Sequence, residues 1–313
     1  MINIFITGAS GCVGRYIVDE LLPVEDYHLH LFIRDKKLVA FLEGHPRVTF
    51  HQGDMSHIDD FADLLATMDY IVHVATPWGD SDYTFLINVD KTYRLFELAR
   101  NCKKIIYFST ASILGKNNQL LPEAGELGTS YIRSKYKAYG KIRGSEFSDK
   151  TVILFPTLVL GGAPDRPWSH VSGGIRSGEH KHYLKWVRFF YVDGEFHFIH
   201  AKDIATIVGQ VIAQDLPSAD YVMGYPSISA KRTIELLCQA FNTPMLLRVK
   251  LPVKSILFLA KLFGIKMAPW DYFCIRNPHF VYKTVTPKDF GGEDLYPTLN
   301  HLATDWRLSA EAC

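Results

Sequence analysis

The stretch from Ile2 to Gly14 constrains this chain more than any other. Ile2-Asn3-Ile4-Phe5-Ile6 is an apolar run of strand length, and glycines stand at 8, 11 and 14 as the helical spacing of Val13, Ile17, Leu21 and Leu22 begins. A strand that feeds a tight glycine turn and then a helix leaves few folds open. Gly8 permits a turn that a side chain would obstruct, Gly11 lets backbone amides approach a pyrophosphate, and Gly14 lets the helix pack close to the strand. The helix N-terminus would present unpaired N–H groups and the positive end of its dipole to that anion. Glycine also collects in loops for turn geometry alone, so context decides; a second β-like run, Leu29 to Ile33, completes the βαβ setting.

The alternation then repeats. Strand-like Val48 to His51, a helical stretch from Ile58 to Leu65, strand-like Tyr70 to Val74, a long helix through Tyr93, Leu95, Phe96 and Leu98, strand-like Ile105 to Phe108, a helix from Tyr131 to Phe147 and strand-like Val152 to Phe155 follow in order. This predicts an α/β fold with a doubly wound parallel sheet of the Rossmann type, its ligands bound beyond the carboxyl ends of the strands. Past Gly161 the rhythm gives way to glycine-, proline- and histidine-rich sequence. Residues 1–160, with 196–215 added, read as a dinucleotide-binding domain, and 161–313 as a smaller C-terminal α/β lobe that selects the substrate. That lobe holds strand-like Phe196 to His200, Tyr221 to Met223 and Leu246 to Val249, and helices Asp203 to Ile212, Thr233 to Phe241 and Val253 to Phe263.

Composition excludes several alternatives. The chain has 313 residues, 48% of them hydrophobic, so a large core is available. A formal net charge of +1 argues against a nucleic-acid surface or a polybasic membrane patch and points to a small-molecule partner. Cysteines 12, 102, 238, 274 and 313 form no Cys-x-x-Cys pair, so neither a disulfide framework nor a zinc knuckle is expected. The apolar segment from Ile256 to Phe263 is interrupted by Lys261 and falls short of the ~20 residues a membrane span needs. With its first strand at the very start and no leader before it, the chain reads as cytoplasmic.

Chemistry is suggested by Tyr131 and Lys135, four residues apart and so on one helix face. A free phenol with a pKa near ~10 is a poor base, but a neighbouring ammonium together with the positive ring of an oxidised nicotinamide favours the phenolate. Ser109, Thr110 and Ser112 follow a strand and would emerge at the carboxyl edge of the sheet, where a hydroxyl could bind a reacting oxygen; local turn bonds are the plainer alternative.

The glycine loop, Gln52-Gly53-Asp54, His73-Val74-Ala75, Asn88-Val89, Phe108-Ser109-Thr110, Tyr131-x-x-x-Lys135 and Phe198-Ile199-His200-Ala201-Lys202-Asp203 occur in one order. Together they resemble an extended short-chain dehydrogenase/reductase of the NAD-dependent epimerase/dehydratase type. The resemblance implies Tyr131 as catalytic acid or base, Lys135 as the group that lowers its pKa and holds the nicotinamide ribose, and Thr110 as the catalytic hydroxyl. It further implies cofactor contacts from Gly8, Ser10, Gly11, Cys12, Val13 and Gly14, from Asp54 and Met55 at the adenine, from Val74, Ala75 and Thr76, and from Pro156 with Thr157 near the nicotinamide. Asn88 is expected to anchor a helix, and a homodimer built on two helices per subunit, Tyr83 to Arg100 and Tyr131 to Phe147, is implied. Leu114 before Gly115 and Phe155 before Pro156 depart from the tyrosine and arginine of many sugar-nucleotide members, which weakens an assignment to sugar epimerisation.

At the end of the second strand, Arg34 stands where NAD-binding members carry an acid. A guanidinium suits a 2′-phosphate, so NADP is expected, with NAD open if Asp35 takes the ribose instead. No metal site is expected: Glu179, His180 and His182 lack zinc-like helical spacing, and His197 and His200 read as structural. Cys12, at a helix N-terminus, has either a lowered pKa or a simple packing role. Trp168, Tyr183, Trp186, Phe189, Phe190 and Tyr191, with Arg176, Lys181, Lys185 and Arg188, suit a flat substrate with an anionic part, or else form an aromatic core under basic surface residues. The leading expectation is hydride transfer between nicotinamide and a carbonyl or secondary alcohol. Epimerisation or dehydration by internal redox and a non-catalytic nucleotide-binding role are the alternatives.

Overall fold

The computed structural model describes residues 1–79, 82–176, 189–240, 243–244, 249–262, 264 and 266–300. Strands β1 (Ile2–Thr7), β2 (Tyr27–Ile33), β3 (Val48–Gln52), β4 (Tyr70–His73), β5 (Lys104–Phe108) and β6 (Thr151–Pro156) join strand Asp220–Met223 in one seven-stranded sheet. Its order is Asp220–Met223, β6, β5, β4, β1, β2, β3, and every pairing is parallel. The protein is thus a Rossmann-type α/β fold. The chain leaves β1 for β2 on one side and later returns to β4 on the other, opening a crevice at the carboxyl ends of β1 and β4.

Both faces of the sheet are covered, which is why its strands read as unbroken apolar runs. Ile4 and Ile6 pack with Leu29, Leu31, Ile17, Val18 and, from helix Ala201–Ala213, Ile204, Val208 and Val211. Phe5, between them, faces the other way to Ile71, Ile105, Tyr107 and Phe96.

Four elements differ from the sequence expectation. Strand Asp220–Met223, read as part of the second lobe, extends the main sheet beside β6, with Met223 opposite Pro156. Helix Ala201–Ala213 is the crossover that delivers it, packing against helix Cys12–Leu21 on one face of the sheet. The stretch Ile58 to Leu65 is a 3-10 turn, Met55–Phe61, followed by a single α-turn, Ala62–Leu65, because Asp54 caps the start by accepting from Ser56 N. The long helix before β5 carries a π segment, Leu86–Lys91, between α segments Asp82–Phe85 and Thr92–Leu98. The run Phe196 to His200 is split: Glu195–Phe196 pairs antiparallel with Ile228–Ser229, and Phe198–His200 pairs parallel with Leu158–Leu160.

The helix expected from Tyr131 is Ser130–Arg143, capped by Thr129 Oγ1 accepting from Ile132 N. Residues 177–188 and 245–248 lie outside the described residues, and with them Glu179, His180, Lys181, His182, Tyr183, Lys185, Trp186, Arg188 and most of the strand expected at Leu246. Among the described residues no helix is long and apolar enough to cross a membrane.

Candidate active site

A cavity of about 1620 Å³ opens along the carboxyl edge of the sheet, and the residues the sequence nominates for cofactor or catalysis line it, except Asp35. At one end lies the glycine loop. Gly8 sits at φ +73°, and a Cβ there would come within 2.8 Å of Ala75 N. Gly14 is tighter, since a Cβ would meet Gly8 O at 2.1 Å; the close approach is between helix and loop backbone rather than helix and strand. Gly11 is the N-cap of helix Cys12–Leu21 and gives it no side-chain cap, leaving the first-turn amides to an incoming anion. This backbone fits the diphosphate of a dinucleotide.

Cys12 does not carry a lowered pKa. Burial pushes its thiol up to about 12 against a backbone hydrogen bond from Ser169, so the thiol stays protonated at neutral pH.

At the ends of β2 and β3, Arg34 and Asp54 line the cavity together with Phe32, Met55 and Tyr83. Burial acts to raise the Asp54 pKa, but hydrogen bonds from Ser56 and Tyr83 and the charge of Arg34 hold the carboxyl below its ordinary value. Asp35 turns away: its Oδ1 accepts from Lys37 N at 2.9 Å, and it does not line the cavity. Val74, Ala75 and Thr76 leave β4 beside the glycine loop, with Ala75 N donating to Thr7 Oγ1. Pro156 ends β6, and Thr157 spends its hydroxyl on Met223 O at 2.9 Å.

Catalytic candidates meet at the centre. Helix spacing puts Tyr131 and Lys135 on one face, and Thr110, just past the end of β5, lines the same cavity, its hydroxyl donating to Ser112 Oγ at 3.3 Å. Lys135 is 1% exposed; its Nζ donates to Phe108 O at 2.7 Å and lies 4.7 Å over the Tyr107 ring. Burial lowers its pKa to about 7. The expectation that this ammonium depresses Tyr131 does not hold in the protein alone. Burial pushes the phenol up to about 12, with only the nearby Thr110 hydroxyl acting downward. The reason is geometric, because the Lys135 ammonium is aimed at a carbonyl and a ring face rather than at the phenol oxygen.

Asn88 anchors, as its type suggests. Its Oδ1 accepts from Thr76 Oγ1 at 2.8 Å and its Nδ2 donates to Ser134 Oγ at 2.9 Å, while Ser134 Oγ donates to Tyr131 O. His197 and His200 are also structural: His197 bridges Tyr225 O and Tyr282 N, and His200 accepts from Lys202 N and stacks on Tyr296. Phe155, at one of the departures noted in the sequence, is a core residue edge-on to Tyr139. Among the described residues no three His, Cys, Asp or Glu side chains are grouped to hold a metal.

Two features escaped the sequence reading. Trp78 stacks on Tyr131, with ring centroids 4.5 Å apart and planes 11° apart, and its place just after β4 in a cofactor-lining loop is the signal that could have found it. His73, fully buried, is held between Thr7 Oγ1 and Thr92 Oγ1 at 2.7 and 2.9 Å, and burial with the nearby Lys135 lowers its pKa to about 3, keeping it neutral.

Comparison with known proteins places this geometry. Solved structures of similar fold include the Bacillus anthracis dTDP-glucose 4,6-dehydratase in complex with NAD, at TM-score 0.69 and 16% identity over 100% of this chain and 97% of that one. The Bordetella bronchiseptica enzyme WbmG in complex with NAD and UDP matches at TM-score 0.69 and 15% identity over 99% and 94% of the two chains. The Methanobrevibacter ruminantium UDP-N-acetylglucosamine 4-epimerase in complex with UDP-N-acetylmuramic acid matches at TM-score 0.66 and 18% identity over 99% and 97%. A search of curated proteins finds no match to the sequence. The family described as NAD dependent epimerase/dehydratase matches residues 4–224. Glycine loop, parallel sheet and sequence match agree, and the chain belongs to the NAD-dependent epimerase/dehydratase family, as an NAD(P)-dependent enzyme of the extended short-chain dehydrogenase type.

Proposed function

We propose that this enzyme is an NADP-linked oxidoreductase acting on a carbonyl or secondary alcohol. The observation that carries the reading is the meeting of Thr110 and Tyr131 in one cavity at the carboxyl edge of the sheet, with Lys135 buried one helical turn on. Gly8, Ser10, Gly11, Cys12, Val13 and Gly14 would hold the diphosphate, Asp54 and Met55 the adenine, Val74 to Thr76 the middle of the cofactor, Lys135 the ribose and Pro156 the nicotinamide side. When bound, the nicotinamide supplies or accepts hydride. Tyr131, kept protonated by burial, gives its proton to the substrate oxygen during reduction, and Thr110 Oγ1 holds that same oxygen. Thr110 is the group that acts to stabilise the phenolate left behind, while Lys135 serves the ribose. Alcohol oxidation runs the same proton path in reverse.

Arg34 supports NADP over NAD. It lines the cavity, whereas Asp35, the residue that would serve a ribose diol, is occupied as a cap on Lys37 N. Arg34→Ala should weaken NADPH far more than NADH, and equal losses would remove the phosphate contact. Tyr131→Phe should bind NADPH yet turn over slower by a factor on the order of 10²–10⁴; near-normal turnover would overturn the mechanism.

The second reading is internal redox on a nucleotide sugar, favoured by the names of the fold neighbours. Protein that purifies with tightly held cofactor and consumes no NADPH would select it. A cytoplasmic setting goes with either reading, since Cys12, Cys102 and Cys274 are free thiols. The dimer would use the helical run 82–98 and helix Ser130–Arg143, where Tyr83 and Leu86 stand exposed.

A further inference from the structure

Trp78 lies flat on the Tyr131 ring and is still 61% exposed. His170, from the opposite wall of the cavity, borders the same indole at 4.9 Å between centroids, tilted by 47°. A large ring left open to water inside a binding cavity has surface to give to a ligand. The neighbouring wall is aromatic, with Trp168, Trp270, Phe280 and Tyr282 in the lining. Charge is sparse there. Apart from Arg34 and Asp54 at the adenine end and Lys135 at the centre, the charged lining residues among the described ones are Glu126 and Arg133, one of each sign. A diphosphate calls for clustered cations and their charge-assisted bonds, which this wall does not offer among those residues.

Resting on the oxidoreductase reading, we propose that Trp78 is a specificity-determining residue for an uncharged arylalkyl ketone, arylalkyl aldehyde or the matching alcohol, whose ring stacks on the indole. The indole covers one face of the Tyr131 ring, and both residues line the cavity. A ring on its outer side therefore brings an oxygen to Tyr131 and Thr110 only through a short arm. The substrate class is a flat ring with its carbonyl carried on a short alkyl arm.

The test compares 4-phenyl-2-butanone with 4-cyclohexyl-2-butanone, which differ in the flatness of the ring, in wild type, Trp78→Phe and Trp78→Leu, each with NADPH. Wild type should show about a five- to tenfold lower KM for the aryl ketone, in line with the strength of an aromatic pair. Trp78→Phe should keep most of that ratio, and Trp78→Leu should bring it close to one. Tryptophan fluorescence titrations of Tyr131→Phe protein with NADPH should show the same aryl preference in binding. Equal KM values in wild type, a ratio that survives Trp78→Leu, or tighter binding by UDP-glucose than by the aryl ketone would overturn the proposal. Absence of turnover on either ketone would count against the oxidoreductase reading, while the binding titration would still judge the role of Trp78.

Discussion

Asn88 Nδ2 donates to Ser134 Oγ at 2.9 Å, and through Ser134 Oγ, which donates to Tyr131 O, the π segment holds the first turn of the catalytic helix. Inserting a π turn rotates Asn88 into the interior, where it is 0% exposed. Asn88 is therefore a positioning residue. Asn88→Ala should lower kcat with little change in KM for NADPH, and cost about 1–3 kcal/mol of stability by orphaning its partners. Ser134→Ala should do the same, and the double variant should be no worse than the poorer single one, because both break one connection. Additive losses in kcat would separate the two residues and sink the connection.

The glycine loop separates folding from binding. A Cβ at Gly14 collides with Gly8 O at 2.1 Å, and also with Gly8 C and Ala9 Cα, all backbone atoms that cannot step aside. At Gly11 the backbone is ordinary, at φ −85°, and a Cβ meets only Gly8 O at 3.4 Å. Gly14→Ala should thus lower Tm by several degrees, as overpacking of about 1–3 kcal/mol does. Gly11→Ala should keep the wild-type Tm and lose NADPH affinity, because its methyl group stands where the diphosphate must approach. Calorimetry and NADPH titration on the two variants check this, and a Tm loss in Gly11→Ala matching that of Gly14→Ala would defeat it.

Much of this was legible in the sequence for local reasons. Strand, glycine turn and helix are set by neighbours in the chain, and Tyr131 and Lys135 share a face by helical spacing alone. What stayed hidden depends on pairings between distant segments. Trp78 meets Tyr131 only because the loop after β4 crosses to the helix after β5. Strand Asp220–Met223 is too short to declare its sheet, and its place beside β6 follows from the packing of its crossover helix. For Lys135 and Tyr131, spacing gives proximity, whereas burial and the aim of the ammonium set the direction of each shift in the protein without cofactor.

Lys135 should leave a pH signature on cofactor binding. Burial lowers its pKa to about 7, so its charge is present below that value and lost as pH rises through it. A cation serves an anionic dinucleotide, so NADPH affinity should fall as pH rises from 6 to 9. Binding itself favours the charged form, which spreads the loss toward higher pH. Lys135→Met should bind more weakly and with a flatter profile over this range. Affinity measured by fluorescence at fixed ionic strength tests the point, and parallel profiles for the two proteins would exclude Lys135 as the titrating group.

The edge of the sheet holds an acid-sensitive contact. His30 Nδ1 lies 3.0 Å from His51 Nε2, the two rings stacked at 5.2 Å and 17°, and His28 approaches His30 at 4.8 Å. Thr49 binds His28 and Asn3 binds His30, so among these partners no carboxylate compensates a charge on the rings. Burial first, then the neighbouring imidazoles, lowers the His30 pKa to about 4 and shifts His51 in the same direction. Both folded pKa values lie below the ordinary histidine value, so the stabilising contribution is fully present above about pH 6.5 and lost as pH falls toward 4. Partial exposure of the rings screens part of the effect, and a difference of about 1 kcal/mol, or roughly 2–4 °C in Tm, is expected. His51→Gln keeps a hydrogen-bonding partner for His30 and removes one titrating ring. Its Tm should drop less than that of wild type between pH 7.5 and 5.0, and equal drops would show that acid lability arises elsewhere in the molecule.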